Sequence, residues 1–542
     1  MALEEPTQAV DPLAEGRDAL ARGAWDGARA AFARALAREA TPEALEGLGT
    51  AARYALDADA ALDAHERGYR LARERGDADA AARLAIQLGY DAYAFRGVAE
   101  AEGWVERAAM LIEGRPPSAG SAFIPYVRGY MALLARHDPA TARERAAEAR
   151  GLAREVGAVD VELLATALGG LALVAEGRVP EGMASLDAAA AAAVGGEMTD
   201  ADSIETVCCF LIDACKRVRD IERANEWCER VRDIAVRFGD RQMFTVCRVH
   251  YADVLLWQGD LERAEAELEA AAEELGRLRP GRDVDALVRL AEVRRRQGRL
   301  ADAAELLERG RGHRLAGLVE GLLALDRGDA PGAVEAAGRV LRRVGAADRF
   351  ERTAALELIV RAALASGDDA GARLAAAELA AVAEGAPNGP LRAAAVLAEA
   401  RIAARGGDAT AAAALAEDAA DLLDAAGARY EGATARLELA AALRAGGHDA
   451  RARAAEVRAR AELAALGAHV PGSGGAGPLS PREVEVLSLL ARGGSNEDIA
   501  RDLVLSVRTV ERHVANVYSK IGASGRTARA RATAWAHAHG IA

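Results

Sequence analysis

The chain has 542 residues, about half of them apolar but only 4% aromatic, and its 69 basic and 83 acidic side chains give a formal net charge of −14. That length exceeds what one compact core accommodates, so several domains or a repeat array are expected. A core this poor in aromatic residues must be built from Ala, Leu and Val, which favours close-packed helices and argues against sandwiches and barrels.

The first residues, Met-Ala-Leu-Glu-Glu-Pro, are acidic and lack the apolar run of a signal peptide. No uncharged apolar stretch reaches the roughly 18 residues that a membrane span needs. A cytoplasmic protein with no membrane partner is therefore expected. Lysine occurs only at Lys216 and Lys520, and the excess of Arg, Ala and Gly points to GC-rich codons and a bacterial source.

Helix-breaking turns recur at Gly23, Asp57, Gly97, His137, Gly177, Arg219, Gly259, Gly298, Gly328, Gly367, Gly407 and Gly447. From Gly97 onward the steps are nearly equal, apart from a shorter one between Gly298 and Gly328. Each turn separates two apolar helical stretches. Five positions after several of the glycines stand Ala264, Ala303, Ala372 and Ala412. Small residues there let two antiparallel helices approach, with Leu255, Leu256 and Leu268 filling the space between them. One such pair cannot bury both its faces, so consecutive pairs must stack. The stretch Gly259-Asp-Leu-Glu-Arg-Ala264 resembles tetratricopeptide-type repeats. The resemblance implies a helical superhelix of about twelve pairs over residues 14–468, acting as a sensor or oligomerisation domain. Such a domain presents a surface to a small-molecule or protein effector, although passive scaffolding would produce the same spacing.

All five cysteines, Cys208, Cys209, Cys215, Cys228 and Cys247, fall within one short segment of the chain. Their number is odd and no Cys-x-x-Cys pair occurs, so core thiols are expected in place of disulfides or a zinc site. Residues 469–478 contain Pro471-Gly-Ser-Gly-Gly-Ala-Gly-Pro478, a linker by composition. The Gly-x-Gly-x-x-Gly pattern inside it follows no strand and precedes a proline, so it is not a dinucleotide loop. Neither lysine lies in a Gly-Lys-Ser/Thr setting, and no His-Glu-x-x-His or Gly-x-Ser-x-Gly motif occurs. The sequence thus predicts no enzyme, no cofactor and no metal site.

From Pro478 onward there are nine basic and six acidic residues, a net of +3, which leaves 60 basic and 77 acidic residues and a net of −17 for the rest. In Leu479-Ser480-Pro481-Arg482-Glu483, serine stands at the N-cap, proline at N1 and glutamate at N3 of a first helix. Ser495 caps a short second helix, Ser506 caps a third that ends near Gly522, and a fourth follows Gly525 from about Arg526 to His539. The second and third helices with their tight connection make a helix-turn-helix, whose second member enters the major groove.

Four blocks carry a closer likeness: Leu-Ser-Pro-Arg-Glu-Val-Glu-Val-Leu, Gly-x-Ser-Asn-x-x-Ile-Ala, Leu-x-x-Ser-x-x-Thr-Val-x-x-His-x-x-Asn and the closing Lys520-Ile521-Gly522. Together they resemble the LuxR-type DNA-binding domain. The fold class is therefore all-α: a tetratricopeptide-like solenoid followed by a four-helix LuxR-type helix-turn-helix domain over residues 479–542. Contacts to double-stranded DNA are expected from Ser495, Asn496, Ser506, Arg508, Thr509, Glu511, Arg512, Ala515 and Asn516. Relatives often carry Lys or Arg where Glu511 and Ala515 stand here. Glu511 either accepts from cytosine N4 or pairs with Arg508 or Arg512 and steers it. His513 points away by helical phase and is expected to pack.

In the family the fourth helix supplies a two-fold contact, which implies a homodimer on DNA through a stripe of Ala528, Ala532 and Trp535. RNA polymerase is a further candidate partner. The resulting reading is a bacterial transcription regulator, and its rival is an adaptor that works through protein contacts with weak DNA binding.

Overall fold

The computed structural model describes residues 11–541 apart from 56, 199, 239–240, 279–282, 314, 386–388, 471–478, 480, 504, 522, 524 and 539–540. Among the described residues there are 28 α-helices and no strand. The first 24 form twelve antiparallel hairpins, from Pro12–Ala21 with Trp25–Arg38 to Arg429–Ala445 with Asp449–Ala465. Among the described residues the array begins at Pro12, slightly before the expected boundary. At its other end Ala468 and Val470 pack beside Tyr430, Leu463 and Leu466, so the solenoid runs through residue 470. The rest of the expected linker, residues 471–478, lies outside the described residues.

The turn series marks the bend of each hairpin. Its nine glycines all have positive φ, a conformation that Cβ-bearing residues adopt at a cost of about 1–2 kcal/mol. Asp57 instead caps the following helix, its carboxylate accepting from the Ala60 N–H at 3.2 Å. His137 and Arg219 occupy the left-handed region at φ 53° and 58°. The small residues behave as their spacing predicts: Ala264, Ala303 and Ala372 have no exposed surface and Ala412 has 1%. Leu255 and Leu268 are fully buried in the same layer. The one shorter step has a simple cause, because the two helices flanking that connection, Leu300–Arg309 and Ala316–Asp326, are short.

Ion pairs join equivalent positions in successive hairpins. Lys216 meets Asp253 at 2.5 Å, Arg289 meets Asp253 at 2.7 Å, Arg295 meets Asp326 at 2.5 Å and Arg401 meets Glu438 at 2.7 Å. Burial disfavours the charged form of Asp253, yet Arg289 and Lys216 hold its carboxyl well below the usual range. The superhelix also contacts itself across larger separations. Arg217 reaches Asp348 at 2.8 Å, Arg219 reaches Glu357 at 2.7 Å and Arg296 reaches Glu431 at 3.0 Å. A shallow cleft opens on this seam, between His137 and residues Leu315, Leu318, Val340, Val344 and Glu351.

Cys208, Cys215 and Cys228 are buried. Burial pushes the Cys208 and Cys228 thiols up to about 12 and Cys215 higher still, so these are inert core groups. The Cys247 side chain lies outside the described residues. Among the described residues no cluster of three or more His, Cys, Asp or Glu is placed to hold a metal ion. No helix among them is long and apolar enough to cross a membrane.

Candidate nucleic-acid interface

Four helices close the C-terminal domain: Pro481–Ala491, Asn496–Asp502, Val507–Lys520 and Ala528–Ala538, the last preceded by a 3-10 turn at Gly525–Thr527. The expected cap at Ser480, together with Gly522 and His539, lies outside the described residues. Val486, Leu487 and Leu490 of the first helix meet Ile499 of the second and Val510, Val514 and Val517 of the third in one core. That core is distinct from those of the repeat array.

Both expected caps at the helix-turn-helix are formed. The Ser495 hydroxyl accepts from the Asp498 N–H at 3.2 Å, and Asp498 accepts from the Ser495 N–H at 3.1 Å. The Ser495 hydroxyl, its N–H and Arg501 hold the Asp498 carboxyl below its ordinary value. Ser506 accepts from the Thr509 N–H at 3.1 Å, and the two hydroxyls lie 2.7 Å apart. These caps fix where each helix begins and therefore which way its side chains point.

On the third helix Val510, Val514 and Val517 are buried, whereas Arg508, Glu511, Arg512, Ala515, Asn516 and Ser519 are exposed. Spacings of three and four place the latter on one face. Thr509 and Asn496 are half-buried, Ser495 and Ser506 are exposed, and the Asn496 Oδ1 has no partner. Among the described residues Arg508, Glu511 and Arg512 make no side-chain hydrogen bond or ion pair, so in the free protein Glu511 steers neither arginine. His513 turns toward the core with a buried Nδ1 that lacks a partner.

The fourth helix departs from expectation. Ala528 is 8% exposed and Ala532 not at all, both turned into the domain, while Ala536 is fully buried alongside them. The anticipated free stripe is therefore core: a three-helix core leaves a face open, and these small residues let the fourth helix close it. Trp535 packs partly against the same core. The outward side carries Arg529, Ala530, Arg531, Ala534 and His537.

Three polar braces were not anticipated. Lys520 donates to the buried Glu483 carboxylate at 2.7 Å, tying the end of the third helix to the start of the first. Arg482 donates to the Leu503 carbonyl at 2.7 Å, and Arg529 donates to the Gly494 carbonyl. The one available signal was Lys520 itself, one of two lysines in an arginine-rich chain.

Residues 477–533 match the family of bacterial regulatory proteins described as the luxR family. The transcriptional regulatory protein LiaR of Bacillus subtilis is 39% identical over 59 residues, which is 11% of this chain and 26% of that protein. The Fimbriae Z protein of Salmonella typhimurium is 56% identical over 45 residues, 8% of this chain and 21% of that protein. The oxygen regulatory protein NreC of Staphylococcus aureus is 48% identical over 44 residues, 8% of this chain and 20% of that protein. The chain thus spans about a quarter or less of the length of these relatives, and the likeness lies in the reader domain. Among solved structures, the APC/C hetero-tetramer Cut9-Hcn1 aligns over 96% of this chain and 95% of that one, at 12% identity and a TM-score of 0.45. The C-terminal domain is a LuxR-type helix-turn-helix.

Proposed function

We propose that this chain is a cytoplasmic transcription regulator. Residues 479–542 read the major groove of double-stranded DNA, and the repeat region over residues 14–468 controls them in response to a small-molecule or protein effector. The observation that carries the reading is the exposed face of the Val507–Lys520 helix, where Arg508, Glu511, Arg512, Ala515 and Asn516 stand opposite a buried valine stripe. Arg508 and Arg512 reach guanine or phosphate, Glu511 accepts from cytosine, and Ala515 touches a thymine methyl. Ser495, Asn496, Ser506 and Thr509 sit at helix starts, where hydroxyls, amides and backbone N–H groups take phosphate. A homodimer would use the outward side of the fourth helix, with Ala534 and the accessible part of Trp535, since Ala528 and Ala532 are occupied. RNA polymerase is the partner such a regulator would address.

The test is titration of residues 478–542 against duplex DNA at several salt concentrations. Four exposed arginines, Arg492, Arg508, Arg512 and Arg531, have no internal partner among the described residues. If all four meet phosphate, the log–log slope of affinity against salt is about −3 to −4 per copy. Binding with no salt dependence would favour an adaptor that acts through protein contacts.

A further inference from the structure

The turns of hairpins four to eight face hairpins ten to twelve and the connections that flank them, so one edge of the ribbon docks on the other further along the chain. The docking surface is charged. Asp348, with no exposed surface, takes Arg217 at 2.8 Å and His137 at 3.4 Å, and Arg219 pairs with Glu357. His137 and Arg219 are the two non-glycine residues with positive φ among the described residues. They stand where nine of the ten other members of the turn series are glycine, and both put a side chain onto the seam. A left-handed strain that glycine would avoid is retained at two turns whose side chains hold the edges together.

Toward the C-terminus the seam becomes close-packed. A Cβ at Gly259 would lie 2.9 Å from a Leu466 methyl, and one at Gly298 would lie 2.8 Å from the His469 Cβ. The His469 N–H donates to the Arg296 carbonyl at 2.7 Å, and Arg296 itself pairs with Glu431. Residue 469 immediately precedes the stretch that leads to the DNA-binding domain. Ion pairs suit a reversible joint, because their charges regain hydration when the joint opens.

We propose that this seam is a latch: closed, it holds residues 466–470 against the Arg296–Gly298 turn and keeps the reader beside the acidic repeat array, and opening it frees the reader for DNA. The proposal rests on the DNA-reader assignment above and adds how the array controls it.

Two substitutions separate the latch from ordinary backbone strain. Gly298 and Gly447 both have φ of +79°, but a Cβ at Gly447 meets nothing within 4 Å. Gly298→Ala and Gly447→Ala therefore share the conformational penalty, and only the first drives His469 off the seam. In amide exchange on the full chain, residues 466–470 should exchange at least tenfold faster in Gly298→Ala and be unchanged in Gly447→Ala. At fixed salt Gly298→Ala should bind duplex DNA at least threefold tighter than the parent. Equal exchange in the two variants, or faster exchange without a change in affinity, overturns the latch. If Gly298→Ala fails to fold, Glu357→Arg makes the same test, and adding Arg219→Glu should restore the parent behaviour. Residues 478–542 alone are titrated in parallel. Their failure to bind DNA overturns the reader, and latch control with it, whereas their binding beside an unresponsive full chain overturns the latch alone.

Discussion

Glu511 puts an acidic side chain on the exposed face of the Val507–Lys520 helix, and its surroundings set what changing it should do. The side chain is exposed on the face opposite the buried valine stripe, and among the described residues it pairs with neither Arg508 nor Arg512. Among the described residues nothing in the free domain competes for its carboxylate. A carboxylate that accepts from cytosine N4 discriminates by about 1–3 kcal/mol, or about 5- to 150-fold at one base pair. Glu511→Ala should erase that preference and leave the rest of the motif intact. Glu511→Lys should turn the preference toward guanine, whose O6 and N7 accept from lysine. It also raises the formal charge of residues 478–542 from +3 by two, so its salt slope should steepen by about 1 if the ammonium meets phosphate. The assay is selection of binding sites from a random library with all three proteins, followed by titration at two salt concentrations. An identical motif from the three would refute base reading by Glu511. A uniform change of affinity across all sequences would mean that it acts through its neighbours.

Arg508→Ala and Arg512→Ala should each weaken binding by about 1–3 kcal/mol if the residue makes a base contact, and relax preference at one position; a loss spread evenly over all sequences marks a phosphate contact. Ser506→Ala removes the cap on the Thr509 N–H and should lower the stability of the domain by about 1 kcal/mol in chemical denaturation, whereas Ser506→Asp should hold it. Arg217→Met leaves the buried Asp348 with only the more distant His137 and should destabilise hairpins six and ten by up to about 3–5 kcal/mol in native-state exchange, with much of the loss recovered in Arg217→Met/Asp348→Leu. Burial opposes ionisation of Asp348, but His137 and Arg217 depress its carboxyl below the ordinary 3.8. Its stabilising contribution is therefore complete above that value and lost as pH falls toward the depressed one, and Asp348→Asn should remove this part of the acid sensitivity.

The hairpin array was legible because one physical constraint repeats: a bend needs positive φ, and glycine supplies it at a nearly constant interval. The same logic located His137 and Arg219 as turns but could not say why glycine is missing there. That reason is a contact with Asp348 or Glu357, several hairpins further along the chain, and no local pattern encodes it. The docking of His469 was hidden likewise, since a glycine-rich run just after it reads as a linker from its first residue. In the reader, the caps and the valine stripe were visible because both are periodic or positional signals. The alanines of the fourth helix misled because small apolar residues at helical spacing suit a core and an interface equally. Lys520 and Glu483, 37 positions apart, meet only once the bundle has closed.

Charge and tether length together make a last prediction, on the salt dependence of the full chain. Residues 471–478 span at most about 26–29 Å even fully extended. A reader tethered to a docked residue 470 therefore stays within that distance of an array whose 77 acidic residues outnumber its 60 basic ones. At 0.15 M ionic strength the screening length is about 8 Å, so the limit of the tether lies more than three screening lengths away. At 0.01 M it is about 30 Å, and the reader cannot leave the field of the array. Repulsion of DNA by the array should then be strong at low salt and fade as salt rises, while the reader's own attraction fades over the same range. The two trends oppose each other, so the full chain should show a shallower salt slope than residues 478–542, with affinities converging toward high salt. Parallel lines for the two proteins would mean that the acidic array does not act on DNA through its charge, and that control of the reader is steric.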